Sequence, residues 1–78
     1  NMKKIEDNIK DILSTILKVP IKKIDPSFSY KSSKKWDSLN HIKIIMALES
    51  NFKIKIKPDQ AVEMMTYKKI IQNIKKII

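Results

Sequence analysis

Apolar residues recur at Ile5, Ile9, Ile12, Leu13, Ile16 and Leu17, with charged residues between them. That spacing predicts an amphipathic helix over about residues 3–17, with Glu6 and Asp7 near the start, where acids suit the helix dipole. Pro20 stops it, because a proline disfavours helix at the preceding Val19. Residues 18–37 hold Pro20, Pro26 and the serine-rich stretch from Ser27 to Ser33, and read as a long connection without an element. A connection of that length needs pinning in a small domain, and Val19, Ile21, Ile24, Phe28 and Trp36 are the apolar residues to do it.

Helical spacing resumes over about residues 38–51. Ile44, Ile45, Leu48 and Phe52 fall on one side and are the expected core face. Leu39, Ile42 and Met46 make a second stripe, roughly 120° away on the same projection. One helix of a small domain rarely buries two stripes, so the second is a candidate docking face. Ile54 and Ile56 then alternate with Lys53, Lys55 and Lys57. The alternation imitates a strand, but a lone strand has nothing to pair with, and the stretch is read as loop. Pro58 opens a short helix over about 58–64, carrying Ala61, Val62, Met64 and Met65 on or just beyond it. Thr66 is a suitable N-cap for a last helix over about 66–78, in which Tyr67, Ile70, Ile71, Ile74, Ile77 and Ile78 recur. The whole reads as an all-α chain: a small four-helix bundle with a long first loop and a short third helix, one domain over 1–78.

Composition removes several chemistries. The 78 residues include no cysteine, one histidine and no glycine. Disulfides and thiolate metal sites are excluded, a zinc site would need unusual carboxylate help, and no glycine-rich phosphate loop can form. No apolar run is long enough to span a membrane and no secretory signal is visible, which makes the cytoplasm the expected location. Asn1 ahead of Met2 reads as a residue left by expression.

The place where chemistry concentrates is Trp36-Asp37-Ser38-Leu39. Asp37 has the character of an N-cap, its carboxylate accepting from free N–H groups of the first turn. Ser38 then becomes the first helical residue. Its hydroxyl stands at a helix end rich in unpaired donors and partial positive charge, which suits a phosphate esterified to it. His41 lies in the first turn, and its expected role is a hydrogen bond to the loop, since no acid or second base accompanies it.

Asp37-Ser38-Leu39, followed by Ile42, Ile45-Met46-Ala47-Leu48-Glu49 and Phe52, resembles the signature of acyl carrier proteins. The likeness continues through Ile56, Pro58, Ala61 and Met64 and covers nearly the whole chain. It implies a bundle of acyl-carrier type, with a 4′-phosphopantetheine arm from coenzyme A on Ser38 and with Asp37 and Leu39 completing the attachment motif. It implies an acyl group carried as a thioester, in lipid or fatty acid biosynthesis, by a protein that is not itself an enzyme. A phosphopantetheinyl transferase would be the modifying partner. Acyl ligase, acyltransferase or synthase enzymes would use the cargo. The matching docking positions are Leu39, Ile42, Lys43, Met46, Ile56 and Ala61, the last two at the entrance to the acyl pocket. Met64 and Met65 are soft gap-fillers, suited to a cavity that opens on demand. A monomer is expected, without stable membrane insertion. Trp before the Asp resembles specialised carriers more than the housekeeping fatty-acid type. An aminoacyl or peptidyl carrier shares the serine motif and stays open as an alternative.

Charge complicates the likeness. All 17 basic residues are lysine and the formal charge is +9. A basic surface suggests nucleic acid, anionic membrane or acidic partners, and a basic helical binding domain is the reading from another class. The lysines are spread over every segment, which argues against a nucleic-acid face, and no arginine is present for bidentate reading of guanine. The same excess of Lys, Ile and Asn follows from an AT-rich genome. Fatty-acid carriers resemble one another in an acidic second helix. Here the matching positions are Asn40, Lys43, Glu49 and Ser50.

Overall fold

The computed structural model describes residues 4–78. Four helices form in chain order: α1 (Ile5–Leu17), α2 (Ser38–Phe52), α3 (Pro58–Glu63) and α4 (Tyr67–Ile77). The expected start at Lys3 lies outside the described residues. Ile9, Ile12, Leu13 and Leu17 of α1 are buried, as are Ile44 and Leu48 of α2 and Tyr67, Ile70 and Ile74 of α4. α1 packs against both α2 and α4, and their apolar faces make one core. Ile45 and Phe52 pack against that core but stay half-buried. Among the described residues, no helix is long and apolar enough to cross a membrane.

Helices α1 and α2 both end without glycine. Lys18 (φ 56°) and Lys53 (φ 55°) take the left-handed conformation that closes them. The next amides fold back five residues: Val19 N–H donates to Ser14 C=O at 3.3 Å, and Ile54 N–H to Glu49 C=O at 3.1 Å. Val19 and Ile54 then pack on the core, the apolar contact that usually accompanies this helix ending. At the other helix ends, Thr66 Oγ1 accepts from Lys69 N–H at 3.0 Å, and Gln60 Oε1 from Lys57 N–H at 3.0 Å.

The long connection is more structured than its composition predicts. Ile21–Lys23 form a 3-10 turn. Ile21 is 46% exposed and pins nothing, because the turn points it outward while Ile24, at its end, is buried. Phe28 and Trp36 are buried as expected. Between them the backbone is tied to the α3–α4 joint. Tyr67 N–H donates to Phe28 C=O at 2.9 Å and Tyr30 N–H to Met65 C=O at 3.0 Å, around an isolated antiparallel bridge between Ser29 and Thr66. The Lys53–Lys57 stretch forms no strand; its alternation instead puts Ile56 inside and the lysines out.

Candidate functional site

Asp37 is extended (φ −101°, ψ −174°), and its Oδ1 accepts from Asn40 N–H at 2.9 Å. Its carbonyl accepts from His41 N–H at 2.8 Å. Those two bonds satisfy the third and fourth amides of α2. The amides of Ser38 and Leu39 make none among the described residues, which leaves two donors at the positive end of a 15-residue helix.

Ser38 sits exposed on that end. Five of the other six serines have their hydroxyls engaged. Ser14 donates to Val19 C=O and Ser27 to Asp25 Oδ1, while Ser29, Ser32 and Ser33 accept from nearby amides. Among the described residues Ser38 Oγ has no such bond, and Ser50, the other hydroxyl without one among them, lies inside α2, away from any helix start.

A groove of about 640 Å³ opens beside Ser38. Tyr30 and Trp36 come from the loop, His41 and Ile42 from α2, Val62 from α3 and Met65 from the joint beyond it. The lining is mainly apolar. Trp36 Nε1–H donates to His41 Nδ1 at 3.0 Å, and His41 Nε2 lies 2.8 Å from Ala61 C=O. The rings of Phe28, Trp36 and His41 stack in sequence, with centroids 5.9 and 6.1 Å apart. Lys31 Nζ stands 5.9 Å from the centre of the Tyr30 ring at the rim.

A family model described as the phosphopantetheine attachment site matches residues 7–74. The chain belongs to the acyl carrier family. It is 36% identical over 73 residues to the acyl carrier protein of Buchnera aphidicola subsp. Schizaphis graminum, covering 94% of this chain and 92% of that one. It is 37% identical over 75 residues to that of Buchnera aphidicola subsp. Acyrthosiphon pisum (strain APS), covering 96% and 94%. It is 30% identical over 71 residues to that of Thermosynechococcus vestitus, covering 91% and 88%. Membership makes the chain a phosphopantetheine-bearing carrier, not an enzyme, and one that works with synthase and transferase enzymes.

Asp37, Ser38 and Leu39 come together at the start of α2. Leu39, Ile42 and Met46 are 63%, 56% and 62% exposed, so the second stripe of α2 is uncovered, with Lys43 exposed beside it. Ala61 is half-buried at the edge of α3. Ile56 is corrected: at 7% exposure it belongs to the core and offers no docking surface. Met64 is fully buried and does not line the groove, whereas Met65 does. His41 makes the loop bond expected of it, but the second bond to Ala61 was not legible. Neither was the turning of Glu49, whose Oε2 accepts from Ile56 N–H at 2.9 Å. A side chain reaching a backbone group seven or twenty positions away leaves no periodic trace in sequence.

Proposed function

We propose that Ser38 is the attachment point of the arm. The observation that carries this is its uncommitted, exposed hydroxyl at the N-terminus of α2, beside two free amides and an apolar groove. The residues fit the group. The free Ser38 and Leu39 N–H groups can donate to phosphate oxygens, Asp37 fixes the first turn that presents them, and the groove takes apolar chain. When bound, the arm supplies a thiol that holds an acyl group as a thioester.

The modifying partner is a phosphopantetheinyl transferase: Ser38 Oγ loses its proton and bonds to the phosphorus nearer the arm, while the pyrophosphate bond of coenzyme A breaks and adenosine 3′,5′-bisphosphate leaves. Leu39, Ile42 and Met46 supply the apolar contact to it and to acyl ligase, acyltransferase or synthase enzymes, with Lys43 and Ala61 at the margins. Tethering raises the effective concentration of cargo at each partner. We take residues 1–78 to act as one monomeric carrier domain in the cytoplasm.

The test is incubation with coenzyme A and a broad-specificity phosphopantetheinyl transferase, read by intact mass. One arm should add to the wild type and none to Ser38→Ala. Alanine is a good helix former, so the helical circular dichroism should be nearly unchanged. Modification that persists in the variant, at Ser32 or Ser33, overturns the assignment.

A further inference from the structure

Helix α3 buries none of its six residues. It is a strap between two buried anchors, Ile56 before it and Met64 after it. Among the described residues, a single hydrogen bond joins it to α2, from His41 to Ala61. Ala61 lies in the last turn of α3, and its carbonyl, which accepts from Met64 N–H at 3.2 Å, has a second lone pair for the ring. That bond crosses the groove beside Ser38, since His41 lines one wall and Val62 the other.

The protonation of the ring follows from its neighbours. Tryptophan has an N–H donor and no acceptor, so His41 Nδ1, facing Trp36 Nε1 at 3.0 Å, must present a lone pair. The Ala61 carbonyl only accepts, so Nε2, at 2.8 Å, must carry the hydrogen. Both bonds exist together only for the neutral ring with its proton on Nε2. Trp36 is held in turn by stacking on Phe28, whose carbonyl is bound by Tyr67 N–H. The loop, α2 and α3 are therefore closed into a ring around the groove, and His41 is the link at which it can open.

We propose that His41 is a positioning residue that latches α3 to α2 and thereby sets how far the groove beside Ser38 opens for apolar cargo. The inference rests on the carrier reading only for what the groove holds; the latch itself is testable on the unmodified chain.

Long-range proton–nitrogen correlation on the ¹⁵N-labelled wild type reads the tautomer directly. It should show the neutral ring protonated on Nε2. A ring protonated on Nδ1, or averaging between the two forms, overturns the proposal even if no variant folds. His41→Leu keeps bulk but loses both bonds, and should speed amide exchange of Ala61–Met64 about tenfold relative to the amides of α1. His41→Gln keeps a donor near the Nε2 position and should restore most of that protection. If the two variants exchange alike, the residue only fills space and the latch is wrong. A third arm loads short, medium and long straight acyl chains from acyl-coenzyme A and follows their cleavage by hydroxylamine. His41→Leu should shift shielding towards longer chains, and an unchanged profile removes the gating role. Failure to load at all would count against Ser38 and the carrier reading, while the tautomer and exchange arms would still decide the latch.

Discussion

Glu49 Oε2 accepts a hydrogen bond from the backbone N–H of Ile56 at 2.9 Å. Glu49 is the sole acid within α2, so this bond turns the helix's own negative charge inward to hold the Lys53–Lys57 loop. What remains on the outer face, beside Leu39, Ile42 and Met46, is Lys43. Lys31, Lys34 and Lys35 stand exposed just before the serine. Fatty-acid carriers resemble one another in presenting an acidic helix there to a basic enzyme patch, and like charges across an interface cost free energy and slow encounter. General fatty-acid synthesis enzymes should therefore turn this carrier over poorly. Lys43→Glu should improve turnover at low salt, and added salt should shrink the gain. A wild type already as good as an acidic carrier would show that the lysines have no part in partner choice.

The inward bond of Glu49 can be weighed by itself. Glu49→Ala leaves the Ile56 amide without a partner beside the core. A hydrogen bond to a charged group contributes about 1.5–3 kcal/mol, and partial exposure of this one brings the expected loss to about 1–2 kcal/mol. Urea unfolding measures it, and the Ile56 amide should become the fastest to exchange in its loop. A loss within error of zero would mean that water replaces the carboxylate.

Core substitutions should follow burial. Ile74 is fully buried, so Ile74→Ala should cost roughly 2–5 kcal/mol, enough to unfold so small a domain outright. Phe52 packs against the core but is only half-buried, and Phe52→Ala should cost less than Ile74→Ala. The reverse order in chemical denaturation would place the core on the other face of α2.

The lysines that end α1 and α2 are replaceable. Left-handed backbone costs a residue with Cβ roughly 1–2 kcal/mol. Glycine removes that strain but gains freedom in the unfolded chain, which returns about 0.5–1 kcal/mol of it. Lys18→Gly and Lys53→Gly should each stabilise by about 0.5–1 kcal/mol, read as a rise in the thermal midpoint. A fall in both would show that the lysine charge at the helix end outweighs the backbone.

Tyr67 makes stability sensitive to alkali. Burial pushes its phenol above the ordinary 10.0, and the charges of Glu6 and Asp7 push it the same way. The unfolded chain ionises this group before the folded one does. Its contribution is thus full below about pH 10 and is lost as pH rises through the folded value. Tyr67→Phe should flatten the alkaline fall in unfolding free energy relative to wild type. Parallel curves for the two would assign that fall to other groups.

The long helices were legible because each carries a repeating apolar face, and Pro20, Pro58, Asp37 and Thr66 mark their edges by local chemistry. The exposed stripe of α2 was legible from the same projection. What escaped was set by contacts between distant segments. Ile21 looked like a pin because its hydrophobicity is visible, whereas the 3-10 turn that points it outward is not. Asn73 falls within the α4 pattern yet is 5% exposed, its amide donating to Lys69 C=O one turn back. The family likeness puts Ile56 at a pocket edge, and the bond to Glu49 that draws its backbone inward has no sequence signature. The site divided the same way: Asp37 and Ser38 announce themselves by type and order, while the groove depends on residues from the loop, α2, α3 and the joint.

The pairing of Phe28 and Tyr30 with Tyr67 and Met65 joins backbone nearly half the chain apart. Closing so long a loop loses chain entropy before any contact repays it, so this seam should zip up after the local helices have formed. The floor of the groove, Trp36 stacked on Phe28, depends on that seam. A nascent chain can thus acquire most of its helix while Ser38 still lacks its finished surroundings, and the time at which the serine becomes a good substrate should follow the closing of that seam rather than the forming of its own helix.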